Sequence, residues 1–96
     1  MVTLKKIMAN KEKINALAKE FGVTNVRVFG SVARGEADEK SDIDLLVHFK
    51  PETTLFDQFA LERKLSRLLH CKVHVLSDNG LRERIRKSVF AEMVTL

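Results

Sequence analysis

Tryptophan and tyrosine are absent from this 96-residue sequence, cysteine and proline occur once each, and glycine occurs four times. Each shortage removes a class of protein. No stretch approaches the ~18 consecutive apolar residues that a membrane span needs. Met1–Lys13 carries charges but no apolar stretch of signal-peptide length. A lone cysteine excludes an internal disulfide framework, and Cys71 with His48, His70 and His74 has no zinc-ligand spacing. That usage fits a reducing, cytoplasmic setting. Cys71 itself reads as a small buried apolar residue rather than a nucleophile.

What is present fits a globular protein: 45% hydrophobic and 31% charged residues, with a formal charge of +4 and a pI of about 9.5. The length supports one core, so residues 1–96 are expected to form a single domain with no room for a separate acceptor-binding domain. The mild positive excess suits an anionic ligand without establishing nucleic-acid binding.

Hydrophobic spacing outlines the elements. Leu4, Ile7, Met8, Ile14, Leu17, Ala18 and Phe21 recur at three- and four-residue intervals, predicting helix over about 4–21 and a left-handed stop at Gly22. Asn25–Phe29 alternates and is β-branched, which predicts a strand running into Gly30-Ser31. A polar connection over 32–41 leads to a second strand, Asp42–Phe49, closed by Pro51. Leu55–His70 is an amphipathic helix with Leu61, Leu65, Leu68 and Leu69 on one side. Lys72–Leu76 is a third strand, and Ser77-Asp78-Asn79-Gly80 a turn. Leu81, Ile85, Val89 and Met93 then repeat every four residues on a last helix. The order predicts an α+β or α/β domain, a small sheet with helices packed on it.

The chemistry concentrates in two places. Asp42 and Asp44 lie two residues apart at the head of an apolar strand, so both project from one face. Like charges so placed push one pKa upward, and a hard divalent cation with oxygen ligands relieves them. The plainer alternative, a turn cap at Ser41-Asp42 and a surface ion pair at Asp44, sits poorly with Leu45, Leu46 and Val47. Those residues make the strand buried on both faces, where an unpaired carboxylate costs several kcal/mol. Gly30-Ser31 is a common dipeptide, but directly after a strand its backbone can approach a phosphate closely and Ser31 can donate to phosphate oxygens. Arg34 either contacts that phosphate chain or is simply solvated. There is no Gly-Lys-Ser/Thr loop and no Gly-x-Gly-x-x-Gly fingerprint. On the last helix, Arg82, Arg84, Arg86 and Lys87 read as a solvated face, since no aromatic is interleaved for base stacking.

Gly-Ser-Val-Ala-Arg-Gly-Glu at 30–36 followed by Ser-Asp-Ile-Asp-Leu-Leu-Val at 41–47 resembles the signature of the DNA polymerase β-like nucleotidyltransferase superfamily, most closely its minimal nucleotidyltransferase branch. The resemblance implies a mixed sheet of about three to four strands flanked by helices. It implies transfer of a nucleoside monophosphate, AMP from ATP, with Mg²⁺ or Mn²⁺ held by Asp42 and Asp44. Nucleotide contacts would come from Gly30, Ser31, Arg34 and Ser41. It further implies a small all-helical HEPN protein as partner, with this chain as the antitoxin that adenylylates it, rather than nucleic acid as direct substrate. Exposed strand edges and the basic last helix are compatible with a homo- or hetero-oligomer.

The sequence departs from that pattern at one position. The superfamily supplies a third carboxylate from the next strand, and here the matching residue is His74, counted with Asp42 and Asp44 as catalytic. Histidine can act as a base or bind softer metals, but it is a poor magnesium ligand. Three readings stand: His74 as a working substitute, a nucleotide-binding scaffold with weakened catalysis that inhibits its partner by complex formation, or Asp78 as the missing carboxylate. His48 and His70 read as structural.

Overall fold

A computed structural model of the chain describes residues 3–38, 40–80, 87 and 91–96. It begins with two helices, α1 (Leu4–Ala9) and α2 (Lys11–Glu20). One helix was expected here. Asn10 breaks it, with φ −101° and ψ 11°, serving as C-cap of α1 and N-cap of α2. Its side-chain Nδ2 donates to the Lys6 carbonyl at 3.0 Å, the local competition for backbone groups that disfavours Asn inside helices.

β1 (Val23–Phe29) starts two residues earlier than alternation predicted. Asn25 sits at φ 53°, and the register with β2 (Ile43–Phe49) shifts between Thr24 and Arg27. This bulge re-aims the strand, so Val26 and Val28 face the core while Arg27 and Phe29 take the other side. Residues Gly30–Ala33 form the single-turn helix α3 where a purely irregular connection was expected. β2 is followed by α4 (Leu55–Leu69) and β3 (Val73–Ser77). A 3₁₀ turn, Asp78–Gly80, comes next, and β4 (Val94–Thr95) closes the chain. β4 was not foreseen, because apolar spacing carried the last helix through to Met93. Lys87, Ala91 and Glu92 are helical; Leu81, Ile85, Val89 and the basic positions Arg82, Arg84 and Arg86 lie outside the described residues.

Among the described residues the strands form one mixed sheet in the order β3-β2-β1-β4. β1 pairs antiparallel with β2 and β4, while β2 and β3 run parallel. The α+β fold is the one expected. Ile7, Ile14, Ala18, Leu61, Leu65 and Leu69 cover the sheet face built by Val26, Val28, Ile43, Leu45, Val47, Val73 and Val75. Burying side chains of this size stabilises the fold by about 1.5–3 kcal/mol each. The opposite face carries Asp44, Leu46, His48 and His74 by strand alternation. Leu46 is fully buried there, apart from the main cluster, while Asp44 and His48 are half-buried, so on this face β2 is buried only at its centre.

Candidate active site

Three strands place three functional positions side by side. Phe29, the last residue of β1, pairs with Asp44 of β2, and Asp44 pairs with His74 of β3. Gly30 therefore follows β1 directly beside the Asp44 carboxylate. Its φ is +76°, and a Cβ built there would lie 2.6 Å from Asp44 Oδ2. Both facts demand glycine: the left-handed backbone and the contact that leaves no room for a methyl group. Ser31 is half-buried in the first turn of α3, whose N-cap Phe29 supplies no side-chain hydrogen bond. The N–H groups of a helix start lack intrahelical acceptors, so this turn presents donors next to the aspartate.

Asp42 precedes β2 rather than opening it, and the chain there is held by Ile43 N–H donating to the Lys72 carbonyl at 2.9 Å. Asp42 and His74 meet, with His74 Nε2 3.0 Å from Asp42 Oδ2. A carboxylate only accepts, so Nε2 carries the proton. Both side chains are 40% exposed, which leaves them open to a ligand and makes the pair itself worth under ~1 kcal/mol. Asp44 is more enclosed. Burial pushes its carboxyl above the ordinary 3.8, the nearby His74 draws it down, Asp42 adds to the rise, and Arg34 opposes it. The repulsion expected between the two aspartates is thus present, and burial is the larger contribution.

Arg34 C-caps α3 and donates to Glu36 Oε2 and Glu92 Oε2, both at 3.0 Å. Those two hydrogen bonds, Glu36 first, raise its pKa. Arg34 is therefore ion-paired to both carboxylates, with its side chain 40% exposed. Ser41 leads into Asp42, with its hydroxyl donating to Asp38 Oδ1 at 3.1 Å and accepting from the Asp38 N–H at 2.9 Å. That turn places Ser41 at the rim of the site with its Oγ already engaged.

Asp78 is not the missing carboxylate. It lies beyond the far end of β3, where Oδ2 accepts from Arg27 at 2.9 Å and Oδ1 lies 3.2 Å from His48 Nδ1. Burial works to raise its pKa, but the hydrogen bonds from Arg27 and His48 prevail and hold it below 3.8. His48, expected to be structural, is half-exposed and meets Asp78. His70 ends α4 in the left-handed conformation at φ 53°, a role beyond a favourable charge at the helix end. Cys71 is half-buried, its Sγ 3.4 Å from the Ser41 carbonyl. The Arg27 pairing went unread because the bulge at Asn25, which turns Arg27 to the open face, has only the strand-disfavouring Asn as its signal.

Among the described residues no group of three His, Cys, Asp or Glu is set to hold a metal ion. The donor set nonetheless fits magnesium in one particular way. Mg²⁺ is commonly held by one or two carboxylates, with substrate phosphate oxygens and waters completing its shell. Asp42 and Asp44 beside the Gly30-Ser31 turn match an ion that arrives with a triphosphate.

The sequence profile of the nucleotidyltransferase domain family matches residues 10–95. The chain belongs to this family. As a nucleotidyltransferase domain it is similar to the protein adenylyltransferase MntA of Thermococcus cleftensis, 39% identical over 98 aligned residues covering 98% of this chain and 96% of the relative. It is also similar to a solved structure given as a candidate minimal nucleotidyltransferase. That match has 43% identity and a TM-score of 0.87, covering 99% of this chain and 97% of that one. A toxin–antitoxin crystal structure with AMP-PNP shares the fold at 22% identity and a TM-score of 0.75, covering 90% of this chain and 71% of that one. The nucleotidyltransferase domain is thus of a transferase class, and no described helix is long and apolar enough to cross a membrane.

Proposed function

We propose that this nucleotidyltransferase domain transfers AMP from ATP to a hydroxyl of a HEPN-type helical partner, the new Pα–O bond forming as pyrophosphate leaves and the hydroxyl proton passes to water, and acts as the antitoxin of that pair. The observation that carries the reading is the approach of Gly30 to Asp44, where a methyl group would lie 2.6 Å from Oδ2. A turn that can take a phosphate is pressed against a carboxylate that can take its metal. The name of the Thermococcus relative, a protein adenylyltransferase, supports the class of acceptor.

Each residue then has a part. The backbone at Gly30 and the Ser31 hydroxyl bind and orient the phosphate chain. Asp42 and Asp44 would hold a divalent cation, which when bound would supply Lewis-acid stabilisation of the phosphoryl group and the hydroxyl. His74 keeps its proton on Nε2 and fixes the Asp42 carboxylate through the 3.0 Å hydrogen bond. It acts as a positioning residue, and the protein's remaining contribution is orientation and charge. In this reading the acceptor hydroxyl is carried by the partner.

The test uses labelled ATP, the partner protein, and Mg²⁺ or Mn²⁺. Label should appear on the partner and vanish with Asp44→Asn. The competing reading, a scaffold that inhibits by binding alone, is favoured by His74 standing where a third carboxylate is expected. A tight complex with no transfer under either metal would establish the scaffold and sink the enzyme. His74→Asp sharpens the comparison: if positioning by His74 suffices, the added carboxylate will not greatly raise Mg²⁺-dependent turnover.

A further inference from the structure

The outward edge of β3 is closed by its neighbouring helix. Ser66 Oγ accepts from the Val73 N–H at 3.1 Å, Glu62 Oε1 accepts from the Val75 N–H at 3.4 Å, and Gln58 Nε2 donates to the Val75 carbonyl at 2.8 Å. Positions 58, 62 and 66 are four apart, one stripe along α4 laid over the strand edge. A partner therefore cannot add a strand there.

Next to that stripe, α4 exposes an apolar face. Phe56 is 85% exposed, Leu55 69% and Phe59 55%. Phe59 also lines a cleft of about 340 Å³ shared with Arg63, Arg67 and Lys72. Among the described residues these three cations have no carboxylate partner, and Glu62 in the same cleft is occupied by the β3 edge. The face is thus apolar at the start of α4 and cationic towards its end.

That polarity selects the occupant. A second copy in a two-fold contact centred on this face would set the apolar start of one α4 against the cationic end of the other. A single-stranded nucleic acid would use the phenylalanines, but Glu52 and Asp57 lie within four residues of Phe56 and would repel its phosphates. An amphipathic helix with apolar residues at one end and carboxylates at the other matches both halves. We propose that this face of α4 docks such an acidic amphipathic helix of the protein partner. Lys72 and Val73 line the cleft and His74 follows directly, so a docked partner sits across the β3 edge from the candidate active site. The inference rests on the transfer reading for its choice of partner.

The experiment measures binding of the full chain to its helical partner protein by calorimetry, alongside label transfer. Phe56→Ser with Phe59→Ser should weaken binding about 30-fold, as loss of exposed aromatic anchors does, with the melting temperature unchanged because both rings are exposed. Arg63→Glu with Arg67→Glu should weaken binding about tenfold at low salt and less at high salt. Asp44→Asn should bind like the parent. Equal binding by the phenylalanine variant overturns the proposal. So does a parent chain that does not bind the partner, or a variant whose loss shows only in self-association or in binding of a single-stranded RNA oligomer. A parent that binds without transferring label leaves the docking face standing and removes the transfer reading. Transfer and binding that survive the phenylalanine changes do the reverse.

Discussion

A methyl group added at Gly30 meets two penalties, whereas one added at Gly35 meets only the first. Both glycines hold positive φ, +76° and +73°, but Gly35 has nothing within 4 Å of a built Cβ, while Gly30 has Asp44 Oδ2 at 2.6 Å. Gly35→Ala should therefore cost about 1 kcal/mol, the left-handed penalty alone. Gly30→Ala should cost about 2–4 kcal/mol, strain plus overpacking. It should also weaken ATP binding in the presence of Mg²⁺, since Asp44 must rotate away. Urea unfolding of both variants checks the difference, and equal costs would show that the contact is soft. At this scale the sequence was most legible. Period-two alternation put Asp42 and Asp44 on one face, the family pattern added His74, and Gly30 followed a strand end. The His74–Asp42 hydrogen bond was not legible, because it depends on the parallel register of β2 and β3.

The elements were readable in type and less so at their ends. α4 appeared within one residue of its observed range, its capping box at Thr54 and Asp57 preceding an apolar stripe of leucines. Its other end is informative, because His70 stands where glycine is the usual choice. With φ 53° and ψ 38°, it pays a left-handed penalty that any favourable interaction with the helix end only partly offsets. His70→Gly should raise stability by about 0.5–1 kcal/mol, measurable as a higher urea midpoint at unchanged slope. A loss of stability would mean that the imidazole at this position does more than end the helix. The misjudged elements share a cause. The break at Asn10, the bulge at Asn25 and the strand Val94–Thr95 are set by side-chain capping or long-range pairing, which apolar spacing does not record. Sealing of the β3 edge by Gln58, Glu62 and Ser66 was hidden likewise, since polar residues beside an apolar stripe usually face water.

For the whole molecule, the candidate active site works against stability until it is filled. Burial, and the neighbouring Asp42 after it, holds Asp44 above its ordinary 3.8, while His74 and Arg34 only partly oppose that rise. Between 3.8 and that raised value the folded chain retains a proton that the unfolded chain has released. Stability therefore falls as pH rises through this window and stays lower at neutral pH. Asparagine has no charge to desolvate, so Asp44→Asn should be more stable than the parent at pH 7 in chelator without nucleotide. The advantage should disappear as pH drops below 3.8. Ligand reverses the ranking. ATP with Mg²⁺ at 100 times its dissociation constant should stabilise the parent by about 2.7 kcal/mol, because only the folded chain binds it. Asp44→Asn should gain little. Thermal unfolding across pH, with and without ATP and Mg²⁺, reads both effects in one series. If the variant is less stable than the parent without ligand, Asp44 serves the fold rather than the site. If both gain equally from ATP and Mg²⁺, the phosphate chain binds somewhere other than the turn at Gly30.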